Sequence, residues 1–138
     1  VASEKASFIQ AFSKIGLVPD SAGSFFLPRL IGFQKASALM LLGDKVSAAQ
    51  AQDLGMIYKV FPPETFHQEV HSLALHMAQL PTKALGLTKK LLNASFNNTL
   101  EQQLALESKL QIQAANSNDY KEGVSAFVEK QEPNFKGN

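Results

Sequence analysis

The sequence predicts an α/β segment that gives way to an all-helical remainder, and three observations support that reading. Short β-type runs and turn residues are confined to the first part of the chain. Pro62 and Pro63 then interrupt it. Beyond them, apolar residues recur at helical spacing almost to the end. The expected division is therefore between residues 1–61 and residues 62–138.

The elements follow in order. Ser7–Phe12 is short and apolar and reads as a strand. Lys14–Asp20 carries Gly16, Pro19 and Asp20 and reads as a loop with turn chemistry. Ser21–Ile31 reads as a helix, with Pro28 tolerated only near a first turn or at a kink. Phe33–Leu42 reads as a short apolar helix closed by Gly43. Ser47 and Gln50 have the spacing of a capping box and start a helix that ends by Gly55. Met56–Val60 is a second strand candidate, and Pro62 and Pro63 stop it and open the next helix.

In that next helix Phe66, Val70, Leu73, Met77 and Leu80 form a one-sided stripe. Pro81 starts another, with Ala84, Leu87, Leu91 and Ala94 on one face. Thr99 and Gln102 form a second capping-box pair leading to about Ala115. There Leu100, Leu104, Leu106, Leu110 and Ile112 spread over more than one face, the pattern of a helix covered on two sides and suited to a subunit interface. Asn116–Asp119 reads as a break, Tyr120–Lys130 as the last helix, and Pro133–Asn138 as irregular.

Composition narrows the function classes. A chain of 138 residues, 45% hydrophobic, can form one modest domain. Thirteen basic residues nearly balance 12 acidic ones, which argues against a nucleic-acid or anionic-membrane binder working by bulk charge. Cysteine is absent, so there is neither a disulfide framework nor a thiolate zinc site. No apolar run approaches the roughly 20 residues that span a bilayer. No basic segment followed by an apolar stretch opens the chain, so the default expectation is cytoplasm. Val1 in place of Met, with an apolar segment within ten residues, suggests a cut chain.

Few residues stand out as chemistry. His67 and His71 are four apart, a spacing that holds metals, but no third ligand follows and both sit off the apolar stripe, so no metal is expected. Glycine-rich phosphate loops and a nucleophile elbow are missing. Asp20 lies between an apolar loop and the small residues Ser21–Gly23. Desolvation there could suit it to proton transfer, while the local sequence favours a helix N-cap. Phe127 and Lys130 are neighbours on a helix surface and could hold an adenine nucleotide, ring on base and ammonium on phosphate. Alternatively Tyr120, Val124, Phe127 and Val128 form a core stripe and Lys130 is solvated. Lys83, Lys89 and Lys90 read as a wet helix face.

Three segments carry a family resemblance. Gly16–Ser24 with Leu27–Gly32 resembles the border of the acyl-CoA site in the enoyl-CoA hydratase/isomerase (crotonase) family. Gly43–Gly55 is similar to its G-x-x-[IVL]-[ST]-A-x-x-A-x-x-x-G stretch, and Glu122–Lys130 to its E-G-x-x-A-F-x-E-K signature. Order and spacing agree over essentially the whole chain. The Lys14–Asp20 run is most similar to the ring-epoxide isomerase branch, which acts on 1,2-epoxyphenylacetyl-CoA in phenylacetate catabolism.

The resemblance implies the end of a ββα spiral followed by a mainly helical trimerisation region. It implies an acyl-CoA thioester substrate, no cofactor, and a homotrimer or dimer of trimers. Hydratases of the family place a catalytic Glu where this chain has Phe12, within Gln10–Phe12, whereas the isomerase branch places its carboxylate at the position of Asp20. Asp20 thus becomes the expected catalytic residue, and Phe127 and Lys130 the expected contacts of the CoA adenine end. The family's two oxyanion-hole N–H groups match positions upstream of Val1, so this segment alone is expected to be inactive. The alternatives are an oligomerisation module without catalysis and an enoyl-CoA hydratase of fatty-acid oxidation.

Overall fold

The computed structural model describes residues 1–138. The chain divides into two compact units, Val1–His71 and Ser72–Asn138, and the division falls inside a helix, past the prolines at 62 and 63.

The first unit holds two small sheets. Strand β1 (Ala2–Ser3) pairs in parallel with β4 (Val60–Phe61), while β2 (Ser7–Ile9) pairs antiparallel with β3 (Lys45–Ser47). The strand expected over Ser7–Phe12 ends at Ile9, because Ala11–Ile15 tightens into a 3₁₀ turn closed by Gly16 at φ 72°. The strand expected at Met56–Val60 is reduced to Val60–Phe61. The N–H groups of Met56 and Ile57 both turn back to the Ala51 carbonyl, at 2.8 and 3.4 Å, and so are unavailable to a ladder.

Helices α1 (Gly23–Ile31), α2 (Phe33–Leu42) and α3 (Ala48–Asp53) complete this unit. Pro28 sits inside α1 and removes the donor that would serve Ser24. Gly43 closes α2 in the left-handed region at φ 63°, its N–H reaching the Leu39 carbonyl. The capping box of α3 is complete: Gln50 N–H donates to Ser47 Oγ at 3.2 Å and Ser47 N–H to Gln50 Oε1 at 3.0 Å. Leu27, Ala36, Val46, Ala48, Ala51 and Phe61 are buried. Three of these six are alanines, so helices and strands approach closely here and much larger apolar residues are left outside.

Helix α4 (Phe66–Gln79) runs from the first unit into the second, which continues with α5 (Thr82–Ser95), α6 (Leu100–Ala115) and α7 (Asn118–Glu129). Helix α5 packs on α6 and α6 on α7. The turn between α5 and α6 is tied by Asn98 Nδ2, which donates to Gln103 Oε1, and by Gln103 Nε2, which donates to the Leu91 carbonyl. Thr99 and Gln102 form the expected capping box. Glu101, in the same first turn, titrates below its ordinary value because its carboxylate accepts from its own backbone N–H and from the Thr99 hydroxyl. That contribution is present above the ordinary carboxylate pKa and fades as pH falls through the lowered one.

The apolar residues of α6 sort by face. Leu110 is 2% exposed, whereas Leu100, Leu104 and Ile112 point outward. The last helix begins earlier than its sequence suggests: Ser117 caps it, accepting from Tyr120 N–H at 3.0 Å, and Asp119 lies in its first turn. No helix of the chain is long and apolar enough to cross a membrane.

Candidate functional site

Each unit carries one candidate site. In the first, the chain leaves the 3₁₀ turn at Gly16 and runs through Leu17 and Val18, both exposed, to Asp20. The Asp20 carbonyl accepts from Gly23 N–H at 2.8 Å, closing a four-residue turn. Its two central residues, Ser21 and Ala22, have φ of 50° and 60°. A left-handed backbone costs an L-residue about 1–2 kcal/mol, and Gly or Asn would relieve it. Strain of this kind collects where function demands a fixed side-chain direction.

The N-cap reading of Asp20 does not hold. Helix α1 starts at Gly23, its capping position is Ala22, and no side chain caps it. Asp20 is exposed, its carboxylate free of hydrogen bonds within the chain. The desolvation expected of a buried base is therefore not supplied by this chain's own residues. Ser21 and Ala22 instead edge an open cavity of about 240 Å³, with Phe8, Gln10, Phe26, Leu27 and Met56 among its other walls. Gln10 Oε1 is buried there without a partner. Phe12, in the 3₁₀ turn, offers no titratable group.

The second site lies on α7. The core-stripe reading of Tyr120, Val124, Phe127 and Val128 is overturned: all four are exposed, Phe127 at 85% and Val128 at 74%. The face turned inward carries Asp119 and Ala126 instead. Lys130 ends the helix in the left-handed region at φ 56°. Its N–H reaches the Phe127 carbonyl at 3.4 Å and Gln131 N–H the Ala126 carbonyl at 2.9 Å, a Schellman closure whose left-handed position ordinarily belongs to Gly. Ser21, Ala22 and Lys130 are the chain's three non-glycine residues with positive φ. All three adjoin a candidate functional group.

An open, apolar cavity of about 470 Å³ lies beside Phe127, walled by Pro81, Ala84, Tyr120, Val124 and Phe135 among others. Asp119, which the sequence reading placed in a break, is 3% exposed at its edge. His67 and His71 are solvent-facing, as are Lys83, Lys89 and Lys90, and no three His, Asp or Glu side chains converge on a common point.

Solved structures define the class to which this architecture belongs. An enoyl-CoA hydratase/isomerase from Cupriavidus metallidurans CH34 superposes with a TM-score of 0.92 at 32% identity, covering 98% of this chain and 51% of that one. The chain has the fold of about half of a crotonase, a helical region included. The family model for enoyl-CoA hydratase/isomerase matches residues 1–138, and the chain belongs to that family.

Among curated relatives, a 1,2-epoxyphenylacetyl-CoA isomerase of Escherichia coli (strain K12) is 47% identical over 137 residues, 99% of this chain and 52% of that protein. A mitochondrial enoyl-CoA hydratase of Pongo abelii is 38% identical over 135 residues, 98% of this chain and 47% of that protein. The chain thus spans about half the length of the curated relatives it matches.

Proposed function

We propose that the whole protein is an acyl-CoA isomerase of the 1,2-epoxyphenylacetyl-CoA isomerase kind, and that Asp20 is its proton-transfer residue. The observation that carries this reading is a free carboxylate set on a strained turn, while Phe12, at the position of the hydratase Glu, bears no acid. The 47% identity to an isomerase supports it. Hydration needs one group to activate water and another to protonate carbon. Isomerisation needs only one that takes a proton from the carbon beside the thioester and returns it further along.

When that proton leaves, charge builds on the thioester oxygen. Donors aimed at that oxygen are worth about 3–4 kcal/mol each in other enzymes. On this reading they come from the part of the protein preceding Val1, and residues 1–138 alone do not turn over substrate. Phe127 packs on the adenine of CoA and Lys130 pairs with its phosphate. The exposed apolar side chains Leu100, Leu104 and Ile112 support assembly into trimers, and no cofactor beyond the substrate's own CoA is required.

The 38% identity to a hydratase supports a second reading, an enoyl-CoA hydratase. Full-length protein given a 3-enoyl-CoA and crotonyl-CoA side by side separates the two. Double-bond migration with little water addition is expected, and rapid hydration with no migration contradicts the proposal.

The backbone at Lys130 gives a further expectation. Lys130→Gly relieves a left-handed side chain and should stabilise the protein by about 1 kcal/mol, while weakening CoA binding. A thermal melt and a CoA titration check the opposed signs.

A further inference from the structure

Asp119 has no part in the reaction described above, yet it is among the most buried polar residues of the chain. A buried carboxylate persists only when its oxygens are satisfied. Here both are, by the backbone of the C-terminal tail: Oδ1 accepts from Lys136 N–H at 2.7 Å and Oδ2 from Gly137 N–H at 2.8 Å. The Asn138 carbonyl in turn accepts from the N–H groups of Asn118 and Asp119 at 2.9 and 3.2 Å. Glu122 Oε1 accepts from Asn134 N–H at 2.8 Å.

Residues 133–138 form no helix or strand of their own. These bonds lay them along the start of α7. Phe135 is held there against Gly123, where an added Cβ would lie 3.4 Å from its ring. The ring faces the apolar cavity that Phe127 also lines. Gly137, at φ 78°, lies so close to α5 that a Cβ would strike the Thr82 hydroxyl.

We propose that residues 133–138 form a strap latched by the Asp119 carboxylate, and that through Phe135 it supplies one wall of the cavity that receives the nucleotide end of a CoA ligand. Asp119 and Phe135 are then positioning residues. The inference rests on the CoA reading of Phe127 and Lys130. Two phenyl rings edging one apolar space suit a flat base.

Titration calorimetry on the full-length protein tests this, with free coenzyme A and with pantetheine, which lacks the nucleotide. Phe135→Ala removes the wall. Gly137→Ala releases the strap without touching the cavity, and amide exchange over residues 133–138 verifies the release. Either substitution should weaken CoA binding roughly tenfold, the scale of one lost aromatic contact, and leave pantetheine binding unchanged. Equal weakening of both ligands, CoA affinity unchanged in Phe135→Ala, or CoA affinity unchanged in Gly137→Ala with the strap released overturns the proposal. Should the strap stay latched in Gly137→Ala, Phe135→Ala decides. A wild-type protein that binds no CoA overturns it together with the CoA reading. One that binds CoA but isomerises no thioester overturns the proposed reaction and leaves the strap standing.

Discussion

Asp20→Asn in the full-length protein should lower the isomerisation rate by about 10²- to 10⁴-fold, the usual contribution of a positioned acid–base group. The amide is nearly the same size and keeps the turn, because the bond that closes it, Gly23 N–H to the Asp20 carbonyl, belongs to the main chain. Asp20 caps no helix and its carboxylate is free of protein partners, so stability should change little. A matched thermal melt and steady-state kinetics separate these effects. A large loss of rate with an unchanged melt assigns the group to chemistry, and full activity removes it from the mechanism.

The second large effect concerns stability. Asp119→Ala deletes both acceptors of the tail amides at 2.7 and 2.8 Å and a favourable negative charge in the first turn of α7. Hydrogen bonds to charged groups contribute about 1.5–3 kcal/mol each, and part returns when the freed amides meet water, so a net loss of about 3 kcal/mol is expected. For a protein of this class that lowers the melting temperature by roughly 10 °C. Asp119→Asn keeps one acceptor and should lose less. Denaturation of the three proteins gives the order directly.

The parts of this structure legible in the sequence are those fixed by neighbours a few residues apart. The boxes at Ser47 and Thr99 are local hydrogen-bond exchanges, and Gly43 ends α2 because a left-handed residue is needed there. The strands β1 and β3 were not foreseen. They are two and three residues long, too short for alternation to show, and exist because of pairing with distant segments.

On α7, periodicity reveals a stripe but not which side faces the core. The wider stripe, with Phe127, turns outward, and the buried side is held by a carboxylate whose partners lie 17 and 18 residues on. Asp20 was poorly legible for a related reason. Ser21 and Ala22 carry no signal for a left-handed backbone, so a cap looked natural from the residues alone, and only likeness to the family pointed to catalysis.

The removal of a proton from the carbon beside the thioester can be watched directly, by labelling that carbon of a 3-enoyl-CoA with deuterium and following the departure of the label from it, whether to the carbon further along or to water. Full-length wild-type protein should clear the label from that carbon, and Asp20→Asn should retain it there on the same timescale. Label lost by Asp20→Asn at the wild-type rate would show that another group takes the proton.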